Sequence, residues 1–504
     1  MKITVYDGAE TIGGNKIYVE ENGRGVFLDF GMNFARYGQY FAEFITERGV
    51  RGIHDLLYLD LIPKLNIYRR DVVPSDLDIS SYPRLNVDAV LFSHAHIDHC
   101  GNAGLLDEKI PFIASPTTCA IVKAMRDVSA TKLASEVAYY TVRDKEDRVL
   151  KSAKGEPYKG RDFYMSSVPD DLKDFMCSRP GQDGRNAKKL DPGCVDHYCE
   201  CSTPFRVRDY EVDHSIYGAT GYVLEGDSVV AYSGDLRLHG KYGYKTRHFV
   251  KNARDASVLI IEGTRTSREE NYHDSEEIVL RKCLDAVEES DGLVTADFSP
   301  RNFERLEMFR EIAHKEGRKL VVNAKDAYML HAIECADGNC RMDDVLIYGE
   351  LKGRKDKWEE VVEERWSDAY VDPAEISRNP EQYILCFSLY NLKHLLDIKP
   401  EKGTYVYSSS EAFTEEQEFD FLRLHNWLSR FNFRTCGFGV AEGKPYFEEG
   451  YHASGHVSAD ELRHIIEEVD PEVLIPVHTE NPGWFADNFD NAVVMRDGGS
   501  YVSD

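Results

Sequence analysis

Four potential metal ligands stand within six residues, His94-Ala-His96-Ile-Asp98-His99. Imidazole nitrogens and a carboxylate suit zinc, with manganese or iron as alternatives. The apolar run Ala89–Phe92 ahead of them predicts a buried strand, which places all four on the loop that leaves it. On a loop they can fan around metal, whereas on a helix they would face different directions. Four ligands so close in sequence do not easily converge on one ion, so two metal ions are implied. The bland alternative is a polar loop that caps the following helix.

Other candidates stand where predicted elements end. Asp29 closes GVFLDF (25–30) ahead of Gly31, and Glu262 follows Ser257–Ile261. His214 stands in Val212-Asp213-His214-Ser215 and Asp235 in Ser233-Gly234-Asp235-Leu236. His456, in Ala453-Ser454-Gly455-His456-Val457-Ser458, precedes a helix, and His478 ends the strand Val473–Val477. Singly, each has an ordinary reading: a surface histidine, a turn residue after Gly234, a satisfied histidine at an element end.

The elements that must position these residues change rhythm along the chain. Strands are predicted at 2–6, 25–30, 219–225 and 228–233, with turns at Gly13-Gly14 and Gly226-Asp227. From 274 the pattern alternates helix and strand: 274–290, 293–298, 301–316, 319–323 and 325–336. That alternation predicts an α/β unit with a parallel sheet. A helix at 414–431, with Phe419, Leu422 and Trp427 among its apolar positions, and another at 458–469 complete the reading. The polar stretch from about 140 to 206, punctuated by Pro and Gly, reads as an insertion or lid.

At 504 residues the chain exceeds one compact core, so two or three domains are expected. No apolar run approaches the roughly 20 residues that span a bilayer, and MKITVYDGAE lacks the features of a signal peptide. No membrane partner and a cytoplasmic location are therefore expected. A net charge of −27, from 61 basic and 88 acidic residues, argues against gripping nucleic acid by bulk charge. Bound metal ions and a local basic channel can still invert the field at a site. Of eleven cysteines, Cys177, Cys194, Cys199 and Cys201 crowd one stretch together with His197. They are candidates for a structural zinc, although the usual close CxxC pairs are missing; reduced thiols on a loop are the alternative.

The motif order resembles the metallo-β-lactamase superfamily, whose pattern is HxHxDH after a strand. His214 and Asp235 match its third and fourth motifs, and Asp29 its first, an acid that orients ligands. Glu262, His456 and His478 resemble motifs A, B and C of its β-CASP nucleases, with ribonuclease J and its archaeal relatives nearest. The resemblance implies an αββα sandwich interrupted by a β-CASP α/β domain with a helix-flanked parallel sheet. The implied boundaries are 1–265, 266–435 and a returning lactamase part at 436–504. It further implies that His94, His96 and His214 hold one metal, that Asp98, His99 and His478 hold the other, and that Asp235 bridges them. His456 would contact the scissile phosphate and Glu262 would orient its neighbours. The implied catalytic set is thus Asp98, Asp235, His456, Glu262 and Asp29, with two divalent ions, Zn2+ or Mn2+.

The implied activity is metal-dependent cleavage of RNA phosphodiesters in processing or decay, 5′–3′ exonucleolytic or endonucleolytic. The substrate would be single-stranded RNA carrying a 5′-monophosphate, and relatives are often homodimers. Arg301, Asn302, Arg305, Ser454 and Ser458 are candidate phosphate or RNA contacts. Arg301 departs from the family, which has a small residue there; it either binds phosphate more strongly or faces solvent at a helix start. Ser408-Ser409-Ser410-Glu411 lies where relatives have a Gly-containing turn, a candidate anion site. A small-molecule thioesterase or lactonase of the glyoxalase II type is the runner-up, but such enzymes need no helix–strand cassette. An inactive binding subunit is a third reading, opposed by the occupied ligand positions.

Overall fold

Strand Arg24–Leu28 is buried at four of its five positions, because both faces of its sheet are covered. Val26 and Leu28 point into one core, while Phe27 points into another together with Tyr18 and Val90. This period-two division organises the whole lactamase-like part of the computed structural model. The structure describes residues 1–42, 44–129, 132–185, 187–267, 275–409 and 415–503.

Two sheets pack face to face. One has eight strands: Val195–His197, Phe163–Met165, Phe112–Ile113, Val87–Leu91, Arg24–Leu28, Lys16–Glu21, Lys2–Asp7 and Gly499–Val502, in that spatial order. The other has five: Arg206–Glu211, Thr220–Glu225, Val229–Tyr232, Val258–Glu262 and Val473–Val477. Between them lie Val5, Val19, Val26, Leu28, Leu91, Leu224, Val230, Ile260 and Ile475. The alternate residues Val223, Ala231, Leu259 and Ile261 face outward, under helices Gly243–Asn252 and Ala459–Val469. Helix Pro116–Val128 covers the far side of the larger sheet. The result is an αββα sandwich of the metallo-β-lactamase type.

A third sheet has seven strands, all paired in parallel: Tyr370–Val371, Val345–Tyr348, Lys319–Val322, Tyr383–Cys386, Leu293–Asp297, Gly403–Tyr407 and Phe433–Cys436. Its residues also alternate. Val294, Leu320, Val322 and Val406 face helices Glu276–Glu288, Phe303–Lys315 and Ala324–Asp337, while Leu293, Val321, Leu385 and Tyr405 face helix Glu415–Arg430. The first face shares one continuous core with helix Pro116–Val128, which seats the sheet against the sandwich.

Two expectations change. The stretch at 140–206 is more than a lid: Phe163–Met165 and Val195–His197 extend the eight-stranded sheet in parallel, and Phe163 and Leu172 are fully buried. Its polar composition hid two short strands that border one core face only. In helix Glu415–Arg430 the buried positions are Phe421, Leu424 and Leu428, whereas Phe419 is exposed. Residues 274 and 414, the expected starts of two helices, lie outside the described residues.

Candidate metal centre

After strand Val87–Leu91 the ligand segment runs as a loop through His94 and His96 and then as a short helix, Ile97–Cys100, that carries Asp98 and His99, so the expectation of four ligands on one loop holds for the two histidines only. The segment is fixed from behind by backbone hydrogen bonds: Phe30 N–H donates to His99 O (2.8 Å), Met32 N–H to Ile97 O (3.0 Å) and Gly14 N–H to Asp98 O (3.0 Å). Gly31 passes so close to Asp98 that a Cβ there would lie 1.6 Å from the Asp98 carbonyl oxygen. Any side chain at that position would displace the segment.

Other elements converge on it. His214 leaves the end of strand Arg206–Glu211, and Asp235 follows strand Val229–Tyr232. Parallel pairing of Val258–Glu262 with Val473–Val477 places Glu262 opposite Val477, so His478 emerges beside Glu262. Asp29 and His478 adopt left-handed backbone angles, φ 59° and 53°, a strained conformation that clusters at functional sites.

The side chains form two groups joined at Asp235. In the first, His94 Nε2 lies 2.9 Å from His96 Nδ1, and His214 Nε2 lies 3.3 Å from the same atom. Asp235 Oδ2 is 3.7 Å from His94 Nε2 and 3.9 Å from His214 Nε2. In the second, Asp98 Oδ2 is 3.8 Å from His99 Nε2 and 3.9 Å from His478 Nε2. Asp235 reaches this group too, at 3.1 Å from His99 Nε2 and 3.8 Å from His478 Nδ1.

The donors fit divalent metal ions. His99 Nε2 and Asp235 Oδ1 are buried with no hydrogen-bond partner, an arrangement that costs free energy unless something binds there. Burial, followed by neighbouring imidazole charge, pushes His94, His96 and His214 down, the last to about 4, which keeps them in the neutral ligating form. Burial acts to raise Asp235, but His478, His99 and His456 outweigh it and hold the carboxyl well below its ordinary value.

Supporting contacts fix the tautomers. Asp29 accepts from His99 Nδ1 (2.7 Å), Ser93 N–H (2.7 Å), Ser93 Oγ (2.7 Å) and Tyr232 OH (2.6 Å), which turns His99 Nε2 toward the centre. His214 Nδ1 donates to Gly455 O at 2.6 Å. Asp29→Asn is expected to lower metal affinity about 10–100-fold with little loss of fold. Competition against a chelator measures this; unchanged affinity would remove Asp29 from its orienting role.

A third cluster, Asp235, Glu262 and His456, is close enough to suggest another ion. The oxygens of Glu262 are already engaged, however. Glu262 accepts from Leu236 N–H (2.9 Å), from Thr264 and from His456 Nδ1 (2.9 Å). Burial opposes charge on His456, but Glu262 and Asp235 win and raise its pKa. His456 and Glu262 thus form a hydrogen-bonded histidine–carboxylate pair.

Several expected contacts find other uses. Arg305 is fully buried and spent on Glu276 (2.7 Å), Ser408 and Tyr451 O, so it cannot reach RNA. Asn302 caps helix Phe303–Lys315 by accepting from Arg305 N–H, and Ser458 caps Ala459–Val469 through Glu461. Ser454 Oγ accepts from His456 N–H at 3.2 Å, and its carbonyl accepts from His239. Arg301 is partly buried, with Nη1 3.6 Å from Met125 Sδ. Ser410 and Glu411 lie outside the described residues. No metal-holding group among the described residues includes Cys177, Cys194, Cys199 or Cys201: Cys177 closes helix Asp170–Cys177, and the other three lie in the turns on either side of strand Val195–His197.

Arg237 and Asp213 escaped sequence reasoning. Arg237 N–H donates to Asp213 O (2.8 Å), and its guanidinium meets Asp213 (3.2 Å), Glu276 (2.9 Å) and Glu304. The only signal was adjacency, since Asp213 precedes His214 and Arg237 stands two residues after Asp235.

A profile of the metallo-beta-lactamase superfamily matches residues 60–115, which contain the His94–His99 segment. Ribonuclease J from Pyrococcus abyssi (strain GE5 / Orsay) is 22% identical over 493 residues, 95% of this chain and 90% of that protein. A crystal structure of a protein of unknown function from Enterococcus faecalis V583 matches with TM-score 0.65 and 20% identity, over 100% of this chain and 99% of that one, and so shares its fold. The match over the ligand segment and the sandwich built around it support a metal-dependent hydrolase of the metallo-β-lactamase type.

Proposed function

We propose that this chain is a two-metal ribonuclease that hydrolyses RNA phosphodiester bonds. The observation that carries the reading is His456, held at Nδ1 by Glu262 within 4.0 Å of Asp235, beside the ligand His478. Loops from the C-terminal part bring both histidines to the centre, together with a seven-stranded sheet that a small-molecule thioesterase or lactonase would not require. Similarity to ribonuclease J along most of the chain supports the same substrate class.

His94, His96 and His214 would hold one ion, Asp98, His99 and His478 the other, and Asp235 would face both. Zinc suits this nitrogen-rich set, with manganese the alternative. When bound, the ions lower the pKa of a water molecule and neutralise phosphoryl oxygens. The chain's own contribution is orientation and charge. Asp29 fixes the ring of His99. Glu262 accepts from His456 Nδ1 and favours the doubly protonated ring, so that Nε2 faces the substrate and donates to an oxygen gaining charge.

The test is digestion of end-labelled 5′-monophosphate, 5′-triphosphate and 5′-hydroxyl RNA by purified protein with zinc or manganese. Cleavage is expected, and Asp98→Ala combined with His99→Ala should abolish it. Wild-type protein that cuts neither RNA nor DNA of any end state would end the nuclease reading. The preferred end and the product ladder decide between exonucleolytic and endonucleolytic action.

A further inference from the structure

The stretch 236–254 holds six Arg or Lys residues and no Asp or Glu, in a chain whose acids outnumber its bases by 88 to 61. It starts at the metal centre, directly after Asp235. His239 Nε2 lies 3.0 Å from Ser454 O, two residues before His456. Lys241 N–H donates to Glu304, in the first turn of helix Phe303–Lys315, at 3.2 Å. From there helix Gly243–Asn252 runs along the outer face of the five-stranded sheet.

The helix sorts its residues by period. Gly243, Thr246, Phe249 and Val250 are buried, the last two in the core beneath the helix. Tyr244, Arg247, His248 and Lys251 are exposed at the i, i+3, i+4, i+7 spacing of one outward face, and Lys241 precedes them by one turn. Lys245 meets Glu211 (2.6 Å), Lys241 meets Glu307 (3.7 Å) and Arg254 meets Glu468 (2.6 Å). Arg247 and Lys251 have no carboxylate within ion-pair distance among the described residues. Tyr244, beside them, is 64% exposed.

Local stability does not account for this composition. Cations near a helix N-terminus oppose the macrodipole, yet the first turn carries Lys245 and no acid. Arg247 and Lys251 stand four apart, where like charges repel. A helix lying on a membrane would turn its apolar face to lipid, but here that face is packed on the sheet. Unpaired cations beside an exposed aromatic ring suit a flexible polyanion whose bases can stack.

We infer that this helix face binds single-stranded RNA outside the metal centre, with Arg247 and Lys251 on backbone phosphates and Tyr244 against a base. The choice of RNA rests on the nuclease reading. Because the stretch begins at the centre, one strand can occupy both. A protein of net charge −27 thereby gains a local surface on which a polyanion is held.

The test is fluorescence anisotropy over a range of salt concentrations, with full-length, metal-loaded protein and a labelled, unstructured phosphorothioate RNA of about 20 nucleotides. Arg247→Gln combined with Lys251→Gln is expected to weaken binding about tenfold. It should also flatten the slope of log affinity against log salt by about 1.4, the value for two phosphate contacts on a single strand. Tyr244→Ala should weaken binding by about the same factor with the slope unchanged, because stacking releases no counterions. Arg247→Lys combined with Lys251→Arg keeps both charges and should recover the wild-type slope. The double Gln variant should melt at or above wild type, since it removes a repulsion between exposed side chains. On cleavable RNA its KM should rise more than its kcat falls.

A double Gln variant with wild-type affinity and slope overturns the inference. So does a variant that loses binding to phosphatidylserine vesicles but not to RNA, which would assign the stripe to a membrane surface. RNA held through Arg247 and Lys251 by a protein that cuts no nucleic acid supports the inference and ends the nuclease reading. RNA cut by wild type, and bound and cut equally well by the double Gln variant, does the reverse.

Discussion

Asp235→Asn is expected to abolish hydrolysis, with a loss of about 10^3-fold or more, and to strip both metal ions rather than one. The reason is geometric. Asp235 is the one carboxylate that approaches ligands of both groups, with Oδ2 toward His94, His214 and His99 and Oδ1 toward His478. An amide in its place offers one oxygen and no negative charge, so four histidines that rely on it lose their shared counter-charge. Elemental analysis of purified variant and wild type, alongside rates on labelled RNA, gives the result. A variant that retains metal and a rate within tenfold of wild type would show that Asp235 does not join the two groups. Asp29→Asn should leave more activity than this, because Asp29 touches His99 only from behind.

Arg237→Met should cost about 3–5 kcal/mol of stability and take activity with it. The guanidinium is buried and ties three negative groups: Asp213, next to His214; Glu276, at the start of helix Glu276–Glu288; and Glu304, in the first turn of helix Phe303–Lys315. Removing the guanidinium leaves Asp213 and Glu304 as buried charges without a counter-ion, while Glu276 keeps Arg305, which is why the effect exceeds that of a surface pair. The control is Lys402→Met, whose partner Asp291 is largely exposed; that change should stay within about 0.5 kcal/mol. Urea unfolding of both variants measures the difference. If Arg237→Met unfolds at the same urea concentration as the control, the network contributes nothing to holding the cleft. Arg237→Lys should fall between them, because one ammonium cannot span three carboxylates.

The site was more legible in the sequence than the structure that supports it. His94, His96, Asp98 and His99 announce themselves because their chemistry is concentrated in one short segment, and the later ligands follow as isolated residues at strand ends. The apolar bursts that predict strands are strongest where both sheet faces are covered, as in Ala89–Phe92 and Val473–Val477. Where one face only is buried, as in Phe163–Met165, three residues do not carry a pattern. Strands Val345–Tyr348, Tyr383–Cys386 and Gly403–Tyr407 were missed for a related reason, since the segments between them are short 3-10 turns and small helices without a clean period. Arg305 and Ser458 show a different limit. Their residue types suit phosphate, but type alone does not show that a helix cap or a buried carboxylate has already taken the donors.

The register that sets Glu262 opposite Val477 has a consequence for how the protein is made. Every proposed ligand except His478 is translated before the seven-stranded sheet begins, and His478 only after that sheet is complete. At roughly 5–20 residues per second, the interval is on the order of 10–40 s. During that time a nascent chain holds an incomplete centre a short distance from the message that encodes it. If that message is a substrate, the position of one histidine beyond the seven-stranded sheet delays the first cut until that whole sheet has been made.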